Sequence, residues 1–198
     1  MARRDRPDHY SRRAKREGFS ARSVYKLQEL QRRFGILGRG MKVLDVGAAP
    51  GSWSQLARKV VADGGTIVAV DLCELPALEH APNVETIVGD VYDPDVIARL
   101  EAGGPYDALI SDAAPKTSGN RTLDTARSAA IVEHLIALAP RLLSSGGNFV
   151  AKVFQGGDEQ DLLAQARERF ETARLVKPKA SRDESFETFL VGIGFRGV

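Results

Sequence analysis

Residues 42–53 read KVLDVGAAPGSW. Residues 42–46 have the apolar character of a strand buried on both faces. Residues 47–51 form a tight glycine loop, and a helix is expected over 53–61. The strand–turn–helix unit repeats. Further strands are expected at 66–70, 84–88, 107–111 and 148–153, and helices at 93–100, 127–143 and 160–170, with Gly146 and Gly147 stopping the long one. Upstream, Val24, Leu27, Leu30 and Phe34 recur at helical spacing behind Ser20 as a candidate N-cap. Residues 173–176 and 188–193 are two last strands with no room for a helix between them, which implies an antiparallel hairpin at a sheet edge. Strands alternating with helices predict an α/β fold: one Rossmann-like domain with a doubly wound, mostly parallel seven-stranded sheet.

A chain of 198 residues suits one such domain with a substantial core. No apolar run approaches the roughly 20 residues needed to cross a bilayer. The arginine-rich start lacks the apolar stretch of a secretory signal. A single cysteine, Cys73, excludes an internal disulfide, and no Cys/His cluster suggests a metal. The expectations are therefore a cytoplasmic monomer with no membrane and no metal. The net charge of +2 hides an asymmetry. Residues 1–42 carry 13 Lys and Arg against 4 Asp and Glu, while residues 43–198 carry 15 against 22. A basic arm over residues 1–19, flexible and suited to a polyanion, precedes a mildly acidic body over 20–198.

Ligands of such sheets bind beyond the carboxyl ends of the strands. Gly47 and Gly51 let the backbone turn and a ligand approach. Their G-x-x-x-G spacing, with Pro50 between, is not the G-x-G-x-x-G that cradles a pyrophosphate. Asp71, ending the second strand, can accept both ribose hydroxyls of an adenosine, and Asp90, ending the third, can meet the adenine amino group. The combination favours S-adenosylmethionine over a dinucleotide. Asp112 ends the fourth strand. Lys152 stands inside the fifth among Phe149, Val150, Ala151, Val153 and Phe154, where burial of an ammonium is costly unless it is paired.

Five segments together resemble the FtsJ/RrmJ family of ribosomal RNA 2′-O-methyltransferases: RSVYKL (22–27), DVGAAPGSWSQ (45–55), SDAAPKTSG (111–119), AKVFQG (151–156) and KPKASRDESFET (177–188). The resemblance covers nearly everything from Ser20 to Gly194. It departs at Ser52, where the family commonly has glycine, and between Asp71 and Asp90. It implies a catalytic tetrad of Lys26, Asp112, Lys152 and Glu187, and S-adenosylmethionine contacts at Gly47, Gly51, Trp53, Asp71, Asp90 and Asp112. It also implies large-subunit ribosomal RNA in the assembled subunit as substrate, with a uridine as target. Lys152 would be the general base or the group that orients the hydroxyl, and Lys26 and Glu187 would position the ribose. Arg3, Arg4, Arg6, Arg12, Arg13, Lys15, Arg16 and Arg22 would contact phosphates, with Lys177, Lys179 and Arg182 extending the basic surface.

Rival readings are a 2′-O-methyltransferase of tRNA or another RNA, and a catalytically silent RNA-binding ribosome-assembly factor. An NAD-dependent oxidoreductase is disfavoured by the missing pyrophosphate loop. Methylation of a base or a protein is disfavoured because Asp112-Ala-Ala-Pro stands where an amino-group methylase has Asp/Asn-Pro-Pro-Tyr/Phe.

Overall fold

Strand β1 (Lys42–Val46) pairs in parallel with β2 (Thr66–Asp71) on one side and β4 (Tyr106–Ser111) on the other in a computed structural model that describes residues 9–182 and 185–197. Flanked on both sides and covered on both faces, its last four residues are all buried, so the stretch reads as an apolar run interrupted only by Asp45. Strand β3 (Val84–Val88) lies outside β2, and β5 (Leu143–Phe154) outside β4. Strand β7 (Glu187–Phe195) then runs antiparallel to β5, and β6 (Phe170–Val176) closes the edge antiparallel to β7, giving the order β3-β2-β1-β4-β5-β7-β6. The expected mixed seven-stranded sheet with its C-terminal hairpin is thus present. The order reverses between β1 and β4, which opens a crevice at their carboxyl ends.

Alternation along the strands separates two cores. Val43, Ile67, Ile110, Val150 and Phe189 face α1 (His9–Arg16), α2 (Val24–Phe34) and α3 (Ser52–Val61). Leu44, Val68, Leu109, Phe149 and Leu190 face α4 (Pro94–Ala102), α5 (Arg121–Leu142) and α6 (Glu159–Arg169). By the same alternation Lys152 shares the side of Val150, towards α2.

Four local expectations are corrected. Helix α2 begins at Val24 behind Ser23 and not behind Ser20, whose N–H donates to Gln55 Oε1 of α3 at 2.9 Å. Helix α5 begins at Arg121 and not at 127. Asn120 Oδ1 accepts the Leu123 N–H, and the Asp124 carboxylate accepts the Ser118 N–H at 2.8 Å, so polar residues that read as loop are cap and first turn. The helix ends at Leu142, and Gly146 and Gly147 lie in an irregular stretch of β5, between the Tyr106–Leu143 and Ala108–Asn148 pairings. Within the arm expected to be flexible, residues 9–16 form α1, docked through buried Ala14 and through Tyr10, whose ring lies 5.4 Å from that of Tyr25. Arg3, Arg4 and Arg6 lie outside the described residues.

Candidate active site

The carboxyl ends of β1, β2 and β4 border a cavity of about 380 Å³ whose lining includes Gly47, Asp71, Tyr92 and Asp112. Gly47 (φ +71°) is required there: a Cβ would sit 2.5 Å from Cβ of Ala113, so only glycine lets the loop after β1 pass the loop after β4. Asp71 braces the same loop, accepting the Ala49 N–H and the Cys73 N–H, each at 2.9 Å. Two carboxylates line the cavity, and no Lys, Arg or His does among the described residues. Behind it Asp45 is fully buried, its Oδ2 accepting the Ser54 hydroxyl at 2.6 Å. Burial pushes the Asp45 carboxyl up to about 7; the Ser54 hydrogen bond opposes this, and the charges of Asp112 and Asp71 add to it.

Beside the cavity stand two ion pairs. Lys152 Nζ donates to the Asp112 carbonyl oxygen at 2.6 Å and lies 3.0 Å from Asp112 Oδ1, close enough for an ion pair but off the line of a hydrogen bond. Lys26 Nζ, from α2, is 2.5 Å from Oε1 of Glu187, the first residue of β7. Sheet register joins the pairs, since Lys152 is opposite Phe189 and Phe154 is opposite Glu187. Burial raises the Glu187 carboxyl, but the charges of Lys26 and Lys152 outweigh it and hold the group below its ordinary value. The structure therefore brings all four residues of the expected tetrad into one electrostatic cluster. Replacing a buried ion pair by apolar groups is often neutral or stabilising, so fold stability alone gives little reason for two adjacent ones.

The profile of the FtsJ-like methyltransferases matches residues 19–195. The chain belongs to this family. A Ribosomal RNA large subunit methyltransferase E of Treponema denticola is 46% identical over 191 residues, 96% of each chain. That of Oleidesulfovibrio alaskensis is 45% identical over 193 residues, 96% of this chain and 93% of the relative. The fold alone is shared with fibrillarin of Aeropyrum pernix, solved with S-adenosyl-L-methionine bound (TM-score 0.64, 14% identity, 86% of this chain and 76% of that one).

The expected cofactor contacts of this FtsJ-like methyltransferase fare unequally. Gly47, Asp71 and Asp112 line the cavity. Gly51 (φ +101°) forms the start of α3 without lining it. The Trp53 side chain does not reach it either. Its indole N–H donates to the Ser23 carbonyl at 3.0 Å, its ring stacks 5.7 Å from that of Phe189, and only its main chain remains for a ligand. Asp90 is exposed at the rim, Oδ1 accepting the Tyr92 N–H at 3.0 Å, while its neighbours Gly89 and Val91 form the wall. Sequence reasoning missed Leu72 and Tyr92, which line the cavity although 67% and 48% exposed; Tyr92 stacks on His134 at 4.1 Å. The available signal was position alone: Leu72 directly follows Asp71, and Tyr92 lies two residues after Asp90.

On the far side of the tetrad lies a second cleft of about 430 Å³, with Arg22, Lys26, Thr117, Arg182 and Glu187 in its lining. The Arg22 guanidinium donates to the Ala180 carbonyl at 2.6 Å; burial and the like charge of Arg182 lower its proton affinity. Lys177 and Lys179 are exposed nearby, Lys177 Nζ donating to the Ser185 carbonyl at 2.7 Å.

Proposed function

We propose that this FtsJ-like methyltransferase transfers a methyl group from S-adenosylmethionine to a ribose 2′-hydroxyl of large-subunit ribosomal RNA. A uridine is the target, in the assembled subunit. The observation that carries the reading is the placement of the tetrad between an acid-lined cavity and a base-lined cleft. S-adenosylmethionine carries a sulfonium and an ammonium, which suit a cavity with Asp71 and Asp112 and no cation; the pyrophosphate of a dinucleotide does not. Asp71 is placed for the ribose diol, Asp90 at the rim for the adenine edge, and Asp112 borders both the cavity and Lys152. When bound there, S-adenosylmethionine supplies the electrophilic methyl.

The rest falls to the protein. A ribose hydroxyl is a poor nucleophile until its proton leaves. An ammonium has three N–H donors, and Lys152 gives one to the Asp112 carbonyl, so capacity remains for the hydroxyl oxygen. In its amine form Lys152 takes the hydroxyl proton as the oxygen forms the new bond to carbon; in its ammonium form it orients that oxygen. Lys26 and Glu187 hold the ribose, and alignment of the reacting atoms supplies much of the acceleration. No step requires a metal. The names of the two bacterial relatives support ribosomal RNA as substrate. The exposed Arg12, Lys15 and Arg16 of α1 support residues 1–19 as an RNA-binding arm on a methyltransferase domain over 20–198, working as a cytoplasmic monomer.

Methyl-labelled S-adenosylmethionine, offered with total tRNA, free large-subunit RNA or unmethylated large subunits, tests the proposal. Label in ribosomal RNA as an alkali-resistant dinucleotide, lost in Lys152→Ala, is expected. Label in tRNA alone moves the substrate, and cofactor binding without transfer leaves a silent RNA-binding factor.

A further inference from the structure

A 2′-hydroxyl within stacked RNA does not reach a group as enclosed as Lys152, so the target nucleotide must turn out of the stack. Its base then needs a surface. Phe154 lies two residues after Lys152 on the same face of β5, about 6.6 Å along the strand, comparable with the span from a ribose 2′-oxygen to the far side of its own base. Phe186, immediately before Glu187, meets Phe154 edge-on with ring centroids 4.6 Å apart. Both rings line the basic cleft. Main chain fixes the pair: the Gln155 N–H donates to the Phe186 carbonyl at 2.7 Å, next to the Phe154–Glu187 pairing. The Arg121 guanidinium lies 5.2 Å from the Phe186 ring centroid. Arg121 opens α5, where a cation opposes the helix dipole, and no carboxylate pairs with it among the described residues.

We propose that Phe186, edged by Phe154 and flanked by Arg121, is the platform on which the base of the target nucleotide stacks. The inference rests on the ribose-methylation reading and adds how the acceptor is held. Among the described residues lining this cleft, Phe154 and Phe186 are the aromatic ones, the half-buried Phe186 offering the surface and the buried Phe154 backing its edge. Because every base presents a π-face, the platform grips a turned-out nucleotide without choosing which one.

Phe186→Leu keeps an apolar side chain and removes the π-face; Phe186→Trp keeps the face. Each is assayed on the RNA that wild type modifies, and on that RNA with an abasic ribose at the target position. Phe186→Leu is expected to raise KM for intact RNA about 10- to 100-fold. The kcat at saturating RNA and the affinity for S-adenosylmethionine should stay within about threefold. Phe186→Trp should restore KM, and wild type and Phe186→Leu should be equal on abasic RNA. An unchanged KM, a loss confined to kcat, or the same penalty on abasic RNA overturns the platform while leaving ribose methylation standing. Label outside ribose in wild type removes the parent reading and the platform together.

Discussion

The two hollows either side of the tetrad are built from opposite charge. The cavity at the ends of β1, β2 and β4 presents Asp71 and Asp112, with Asp45 buried behind. Among the described residues, the cleft beyond Lys26 presents Arg22, Lys26 and Arg182 against one carboxylate, Glu187, already engaged by Lys26. The first comes from the parallel core of the sheet, where short βα loops fix every group. The second is assembled from α2, the loop after β4 and the C-terminal hairpin, elements distant in sequence. Under the proposed function, a cationic small molecule and a polyanion would thereby meet separate sides. The two ion pairs form the wall between the hollows, where acid and base neutralise each other and where, under that proposal, the methyl would cross.

If the wall belongs to neither side, Lys152→Ala should damage the rate and spare both ligands. We expect kcat to fall by about 10²–10⁴, with S-adenosylmethionine and RNA affinities within a fewfold by calorimetry and filter binding. Weakened binding of either ligand would break the comparison by assigning Lys152 to that side. The pH dependence sharpens the role: a base predicts a rate rising from neutral to alkaline pH, whereas a flat profile leaves orientation of the hydroxyl.

Burial of Asp45, to which the charges of Asp112 and Asp71 add, should appear as a stability cost on the cavity side. Its folded value of about 7 lies above the ordinary aspartate value of about 3.9, so the native state binds the extra proton. Asp45 therefore costs little below pH 4, and the cost grows through the window between those values and is complete above it. Asp45→Asn can still accept the Ser54 hydroxyl and should be more stable than wild type at pH 8, by up to ~4 kcal/mol, with a smaller gain at pH 5. Urea unfolding at the two pH values measures this, and a gain independent of pH would refute it. Asp71→Ala comes next, raising the Kd for S-adenosylmethionine about 10- to 100-fold with RNA binding unchanged.

The two sides also differed in how plainly the sequence announced them. Glycines at 47 and 51, an apolar run before them and aspartates closing successive strands are local signals, so β1 to β4 and the acid-lined cavity they frame were legible to within a residue, whereas β5 and β6 begin at Leu143 and Phe170, ahead of the expected 148 and 173. Even there Trp53 pointed into the core, because its side-chain direction is set by packing against Ser23 and Phe189. The basic cleft was legible in its charges, Arg22 and Arg182, and in the family motifs that marked Lys26 and Glu187. Phe154, Phe186 and Arg121 carry no local signature, since their meeting depends on β7 pairing with β5 and on α5 starting at Arg121. That early start depends in turn on Asp124 folding back to Ser118. The docking of α1 was hidden for the same reason, as Tyr10 finds Tyr25 only after both helices exist.

Helix α1 offers the smallest test and the most discriminating one. Its basic residues are not equivalent. Arg13 Nε donates to Glu17 Oε1 at 2.7 Å and its guanidinium lies over the Tyr25 ring, so it is engaged within the protein. Arg12 and Arg16 are exposed. If the cleft side meets phosphates, each neutralised contact should lower the slope of log K against log salt by about 0.7–0.9. Arg12→Gln with Arg16→Gln should then lower the slope by about 1.5 and weaken RNA binding several-fold near 0.15 M salt, leaving S-adenosylmethionine affinity and kcat at saturating RNA unchanged. Arg13→Gln should leave the slope in place. Equal slopes for all three proteins would mean that α1 packs against the body without touching RNA, and would confine the polyanion to the cleft beside the tetrad.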